Sequence, residues 1–145
     1  MCDHCTCRDF APIADLSAEH EVILELAWAV AEDPDLHGEG RLARRDALLA
    51  ILDGHNRKEE LGLYPRLLES GDLSARASER LEEEHRVLHV ALVGATFDRR
   101  DYYALAAHIE EEEMELFSAA MLAFDDDVWH DLEHVQRDVG TAVPV

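Results

Sequence analysis

Glycine and proline are scarce in this sequence, seven and four among 145 residues. So few chain-breaking positions argue against a turn-rich β fold and favour long helices. Positive charge is short as well: 13 lysines and arginines stand against 33 aspartates and glutamates, a formal charge of −20. Such a surface repels phosphate backbones and anionic lipid, so neither nucleic acid nor a membrane surface is an expected partner. No apolar run is long enough for a bilayer, since the longest, Val22 to Ala31, is cut by Glu25. The stretch from Met1 to Phe10 is polar, not a basic segment leading into an apolar one. A signal peptide is therefore not expected, and the expected location is the cytoplasm. Cysteine is confined to Cys2, Cys5 and Cys7, which is no disulfide framework.

What the sequence does have is an apolar share of 48%, enough for one domain with a real core. It also has nine histidines, an unusual number at this length. The pattern predicts an all-α fold: an N-terminal arm over residues 1–12, a four-helix unit over 13–125, and a C-terminal helix and tail over 126–145. The first helix is expected from Ile13 to Glu32, stopping before Pro34, because proline restricts the residue ahead of it. The second runs from Glu39 to Ser70 and ends at Gly71, with a kink or an end near Pro65. The third starts after Ser74, an N-cap residue, and runs to about Phe97. The fourth covers Tyr102 to Phe124. A fifth, Asp126 to Val139, opens on aspartates that suit the helix dipole. Short connections between long helices read as an up-down-up-down bundle.

An internal repeat links the second and fourth helices. His55-x3-Glu59-Glu60-x2-Leu63-Tyr64 is matched by His108-x3-Glu112-Glu113-x2-Leu116-Phe117. On all four main helices the apolar stripe carries histidine: His20 among Leu16, Ile23 and Leu24; His55 among Leu48, Leu52 and Leu63; His85 and His89 among Leu81, Leu88 and Leu92; His108 among Leu105, Ile109 and Leu116. Two stripes add a carboxylate four residues later, on the same face and within reach of the same ion. A buried carboxylate without a partner costs several kcal/mol, and the partner offered on these stripes is imidazole, not lysine or arginine. Imidazole with carboxylate suits iron, zinc or manganese, whereas calcium and magnesium prefer oxygen shells. Seven such groups exceed one tetrahedral zinc and fit two octahedral ions.

A single histidine on such a stripe is more often a hydrogen-bonded core residue than a ligand, and runs such as Glu110 to Glu113 are usually solvated. The joint phase on four helices is what bland packing does not explain. His130 and His134 serve as a control. They are also four apart, but they sit off the Val128, Leu132, Val135, Val139 stripe and are expected on the surface. His37 is expected in an exposed loop.

His20, His55-x3-Glu59, His85-x3-His89 and His108 with acids four and five residues on resemble the hemerythrin and hemerythrin-like (HHE cation-binding) family. The similarity covers roughly Leu16 to Phe124. It implies a centre of two non-haem iron ions bridged by an oxo or hydroxo group. One iron would take His85, His89 and His108, the other His20 and His55. Glu59 and a second acid would bridge, and the open position would take oxygen, nitric oxide or peroxide. The second bridge is Glu112 or Glu113. Helical phase places Glu112 about 40° round from His108 and Glu113 about 140°, which favours Glu112.

Three functions follow. One is a protein that binds or senses a small ligand at the iron centre. Another is a di-iron enzyme that removes peroxide or nitric oxide. The third is a metal-stapled interaction module, with the apolar band Val22, Leu26, Trp28, Val30 on the first helix as a candidate homo-oligomer contact. The arm lies outside the resemblance. Its Cys2, His4, Cys5 and Cys7 are open to three readings: unremarkable thiols, a redox or inter-chain function, or a metal site.

Overall fold

The computed structural model describes residues 10–34 and 38–140. Among them every regular element is helical, and no helix is long and apolar enough to cross a membrane. The cysteine arm and His37 lie outside the described residues.

Helix α1 (Ala11–Glu32) starts two residues earlier than Ile13, because Pro12 occupies the first turn, where its missing N–H costs nothing. Extended Asp33, ahead of Pro34, ends it. Helix α2 (Glu39–Lys58) passes without a break into a π-helical segment π1 (Glu59–Leu63) and then α3 (Tyr64–Ser70). The expected kink or stop at Pro65 is thus replaced by wider winding. The Tyr64 N–H bonds back five residues to Glu59, and Pro65 falls in the first turn of α3. Gly71 then closes this rod with φ +81°, a conformation that favours glycine.

Helix α4 (Ala75–Val93) is capped by Ser74, whose hydroxyl accepts from the Ala77 N–H. It ends four residues short of Phe97. Ala95 takes φ +58° and the Thr96 N–H turns back to the Ala91 carbonyl, which frees Phe97 to bury its ring. Helix α5 (Arg99–Glu111) begins earlier than Tyr102 because Asp98 and Asp101 form a reciprocal capping box. It continues through π2 (Glu112–Leu116) into α6 (Phe117–Ala123). Helix α7 (Asp126–Val139) is capped by Asp125.

Helix α1 packs on α2 and α5, α4 on α5 and α2, and α3 on α4 and α6, while α7 lies against π1, α1 and α2. Gly62 permits that last contact, since a Cβ there would lie 3.1 Å from Leu132 Cδ2 and 3.3 Å from Val135 Cγ1. The core divides into two apolar clusters. One contains Leu16, Leu63, Leu81, Leu116 and Phe117, and the other Ile23, Leu52, Leu88, Leu105 and Ile109. On α1, α2 and α4 the buried histidine falls between these sets in sequence. A thin polar layer is therefore held between two dry ones. Of the apolar band on α1, Val30 is in the core, Val22 and Leu26 pack against it, and only Trp28 is exposed, edge-on to Tyr102.

Candidate metal centre

The polar layer gathers His20 from α1, His55 from α2, Glu59 at the start of π1, His85 from α4, His108 from α5 and Glu112 at the start of π2. All six are buried, and the two glutamates are fully so. Their donor atoms form two groups, each with all atoms within 4.8 Å of one another: His20, His55, Glu59 and Glu112, and Glu59, His85, His108 and Glu112. Either group can hold a cation, and the two carboxylates belong to both.

Each imidazole is fixed from behind by a carboxylate on another helix. Nδ1 of His20 lies 3.0 Å from Glu113, that of His55 3.1 Å from Glu19, that of His85 2.8 Å from Glu60, and that of His108 2.8 Å from Glu84. A carboxylate only accepts, so every Nδ1 carries its proton and donates. In the neutral ring every Nε2 is then a bare lone pair aimed inward. Their inward neighbours are the shared carboxylates, with His55 Nε2 at 3.2 Å and His85 Nε2 at 3.3 Å from Glu59, and His108 Nε2 at 3.2 Å and His20 Nε2 at 3.4 Å from Glu112. Four of the inward atoms are buried with no hydrogen-bond partner: His20 Nε2, His55 Nε2, Glu59 Oε2 and Glu112 Oε1. An orphaned buried polar atom costs about 1–3 kcal/mol, so four in one layer fit a cation as the partner they are built for.

Protonation follows the same geometry. Burial opposes charge on His55, but Glu59 and the bonds to Glu19 and Glu59 outweigh it and hold its pKa up to about 10. For His108 burial is likewise outweighed, by Glu112 and Glu84, and its pKa is also pushed up to about 10. Burial would raise the Glu112 carboxyl, yet Glu59, His108 and His20 hold it well below the usual range. Protons thus balance the two carboxylates until a cation displaces them.

The expected set is brought together with one exception. His89 does not join it. Its side chain is 49% exposed, with Nδ1 3.4 Å from Asp53 Oδ1, although it borders the small cavity above the centre. Helical spacing from His85 gave it the right face, but at the rim of the layer, where Asp53 on α2 draws it outward. The choice between Glu112 and Glu113 resolves into two positions: Glu112 faces the centre and Glu113 backs His20. His130 and His134 are exposed, their rings 5.0 Å apart.

Glu19, Glu60, Glu84 and Tyr64 were not found from the sequence. A signal was there: Glu19-His20 and Glu84-His85 are the same dipeptide, and Glu60 and Glu113 close the same His-x3-Glu-Glu motif. The repeat therefore extends to all four main helices. The Tyr64 hydroxyl donates to Glu112 Oε2 at 2.8 Å, because π winding turns a residue five positions beyond Glu59 onto the same face. In an α-helix that offset is about 140°. Behind Glu19, buried Lys58 donates at 2.7 Å.

No protein-family model, curated protein or solved structure matches this chain.

Proposed function

We propose that the chain is a non-haem iron protein of hemerythrin-like type, an antiparallel four-helix bundle that holds two iron ions and binds or senses a small ligand there. The observation that carries this reading is the set of four imidazoles, each held at Nδ1 by its own carboxylate and presenting Nε2 to two shared carboxylates. His20 and His55 would hold one ion, His85 and His108 the other, and Glu59 and Glu112 both. Mixed nitrogen and oxygen donors favour iron, zinc or manganese over calcium or magnesium. Iron in such a site would supply one-electron chemistry and affinity for oxygen, nitric oxide or peroxide. The chain's own contribution is a dry, rigid pocket. A cavity of about 10 Å³, bordered by Ile23, Leu52, Leu88, Leu105 and Ile109 as well as by the histidines, has room for a group of water or diatomic size. That size supports a small ligand over an organic substrate.

The test is metal analysis of purified protein with a visible spectrum of its oxidised form. Two irons per chain are expected, with most of the iron lost in Glu59→Ala and His85→Ala and retained in His130→Ala and His134→Ala. Equal iron in all four variants would sink the assignment. His89→Ala adds a second measurement. Retention of both ions is expected from its outward position, and loss of one would mean that the side chain turns inward to bind.

A further inference from the structure

We propose that the Tyr64 hydroxyl makes the two cation positions unequal, by holding one oxygen of Glu112 so that this carboxylate serves the cations through Oε1 alone. The proposal rests on the two-cation reading above and deepens it.

The repeat relates the halves of the site residue by residue: Glu19-His20 to Glu84-His85, and His55, Glu59 and Glu60 to His108, Glu112 and Glu113. At Tyr64 the relation fails, since its counterpart is Phe117. The consequence is visible in the carboxylates. Glu59 turns Oε2 to His55 at 3.2 Å and Oε1 to His85 at 3.3 Å, one oxygen to each half. Glu112 turns Oε1 to both His108 at 3.2 Å and His20 at 3.4 Å, while its Oε2 accepts from Tyr64 at 2.8 Å. Phe117 has no hydroxyl to hold Glu59 in that way. Its ring lies parallel to His20 with centroids 5.6 Å apart.

A second observation divides the halves in the same sense. The four orphaned atoms, His20 Nε2, His55 Nε2, Glu59 Oε2 and Glu112 Oε1, all belong to one position. At the other, His85 Nε2 and His108 Nε2 lie 3.0 Å apart and share a proton, and the Tyr64 oxygen is 3.4 Å from His85 Nε2. A cation entering the first position satisfies atoms that have no partner. One entering the second must first displace a hydrogen bond, and it meets a Glu112 whose other oxygen is already engaged. The His20–His55 position therefore fills first and more tightly.

The experiment is anaerobic titration of the metal-free full chain with Co2+, followed by calorimetry and by the visible bands of bound cobalt. Wild type is expected to bind two ions in two resolved steps. His108→Ala should keep the tight step and lose the weak one, while His55→Ala should lose the tight step. In Tyr64→Phe the freed Oε2 turns to the second cation, so the gap between the steps narrows by about tenfold or more, the worth of one charge-assisted hydrogen bond. Circular dichroism checks that each variant is folded, and the histidine variants test the order of filling even if Tyr64→Phe is not. Two equal steps in wild type, the reverse pattern in the histidine variants, or an unchanged gap in folded Tyr64→Phe would overturn the proposal and leave the two-cation reading standing. A wild-type protein that binds no Co2+ would overturn both.

Discussion

Glu19 is the residue whose loss reports most directly on how this site is held. Its carboxylate, 4% exposed, accepts from Lys58 at 2.7 Å and from His55 Nδ1 at 3.1 Å. Glu19→Ala therefore does two separable things. It strands the Lys58 ammonium, 5% exposed, in the interior, and it removes the group that orients His55. Breaking one side of a buried pair costs about 3–5 kcal/mol, because the remaining charge is left without compensation. At a few degrees per kcal/mol for a chain of this size, melting should fall by about 10–15 °C. Urea unfolding of the chelator-treated protein measures this term alone. In Glu19→Ala with Lys58→Met the stranded charge is gone, so about 2 kcal/mol or more should return. Cation binding should respond differently. It should weaken about 10–100-fold in Glu19→Ala and stay weak in the double variant, where His55 still lacks its acceptor. The reasoning is refuted if Glu19→Ala costs less than about 1 kcal/mol, as a surface pair would, or if the double variant recovers cation affinity along with stability.

Three further outcomes are expected. Glu112→Ala should abolish binding at both positions, whereas Glu113→Ala, which only loosens His20, should keep two ions at about 10–100-fold lower affinity by calorimetry. Metal-free protein should be most stable to urea between about pH 4.5 and 6.5. The contribution of His55 and His108, whose pKa values rise from 6.5 to about 10 on folding, is complete below the lower value and lost as pH climbs through the upper one. The carboxyls of Glu19, Glu84, Glu112 and Glu113, lowered from 4.5, contribute above that value and fail on acidification. Cation affinity should instead rise with pH, since protons must leave first, and a falling affinity would contradict the site. Gly62→Ala should cost about 1–3 kcal/mol by pressing on Leu132 and Val135, with the number of bound ions unchanged.

The sequence by itself determined the helices and six of the inward groups. Scarce glycine and proline left the helices long, and a period of 3.6 residues projects each buried side chain onto one stripe. His20, His55, Glu59, His85, His108 and Glu112 could therefore be read along single helices. Phase tells which side of a helix a residue is on, but not how far that side is covered by its neighbour. His89 shares the face of His85 and still stands half in solvent beside Asp53. The same limit hid Glu19, Glu60, Glu84 and Glu113. As members of acidic runs they read as solvated, yet packing brings each to an Nδ1 on another helix. Tyr64 depended on winding as well, because only the π turn after Glu59 carries its hydroxyl round to Glu112. Local periodicity thus chose the donors. The contacts between helices decided which of them meet, which atoms face inward, and why the two halves of a repeated motif are not equal.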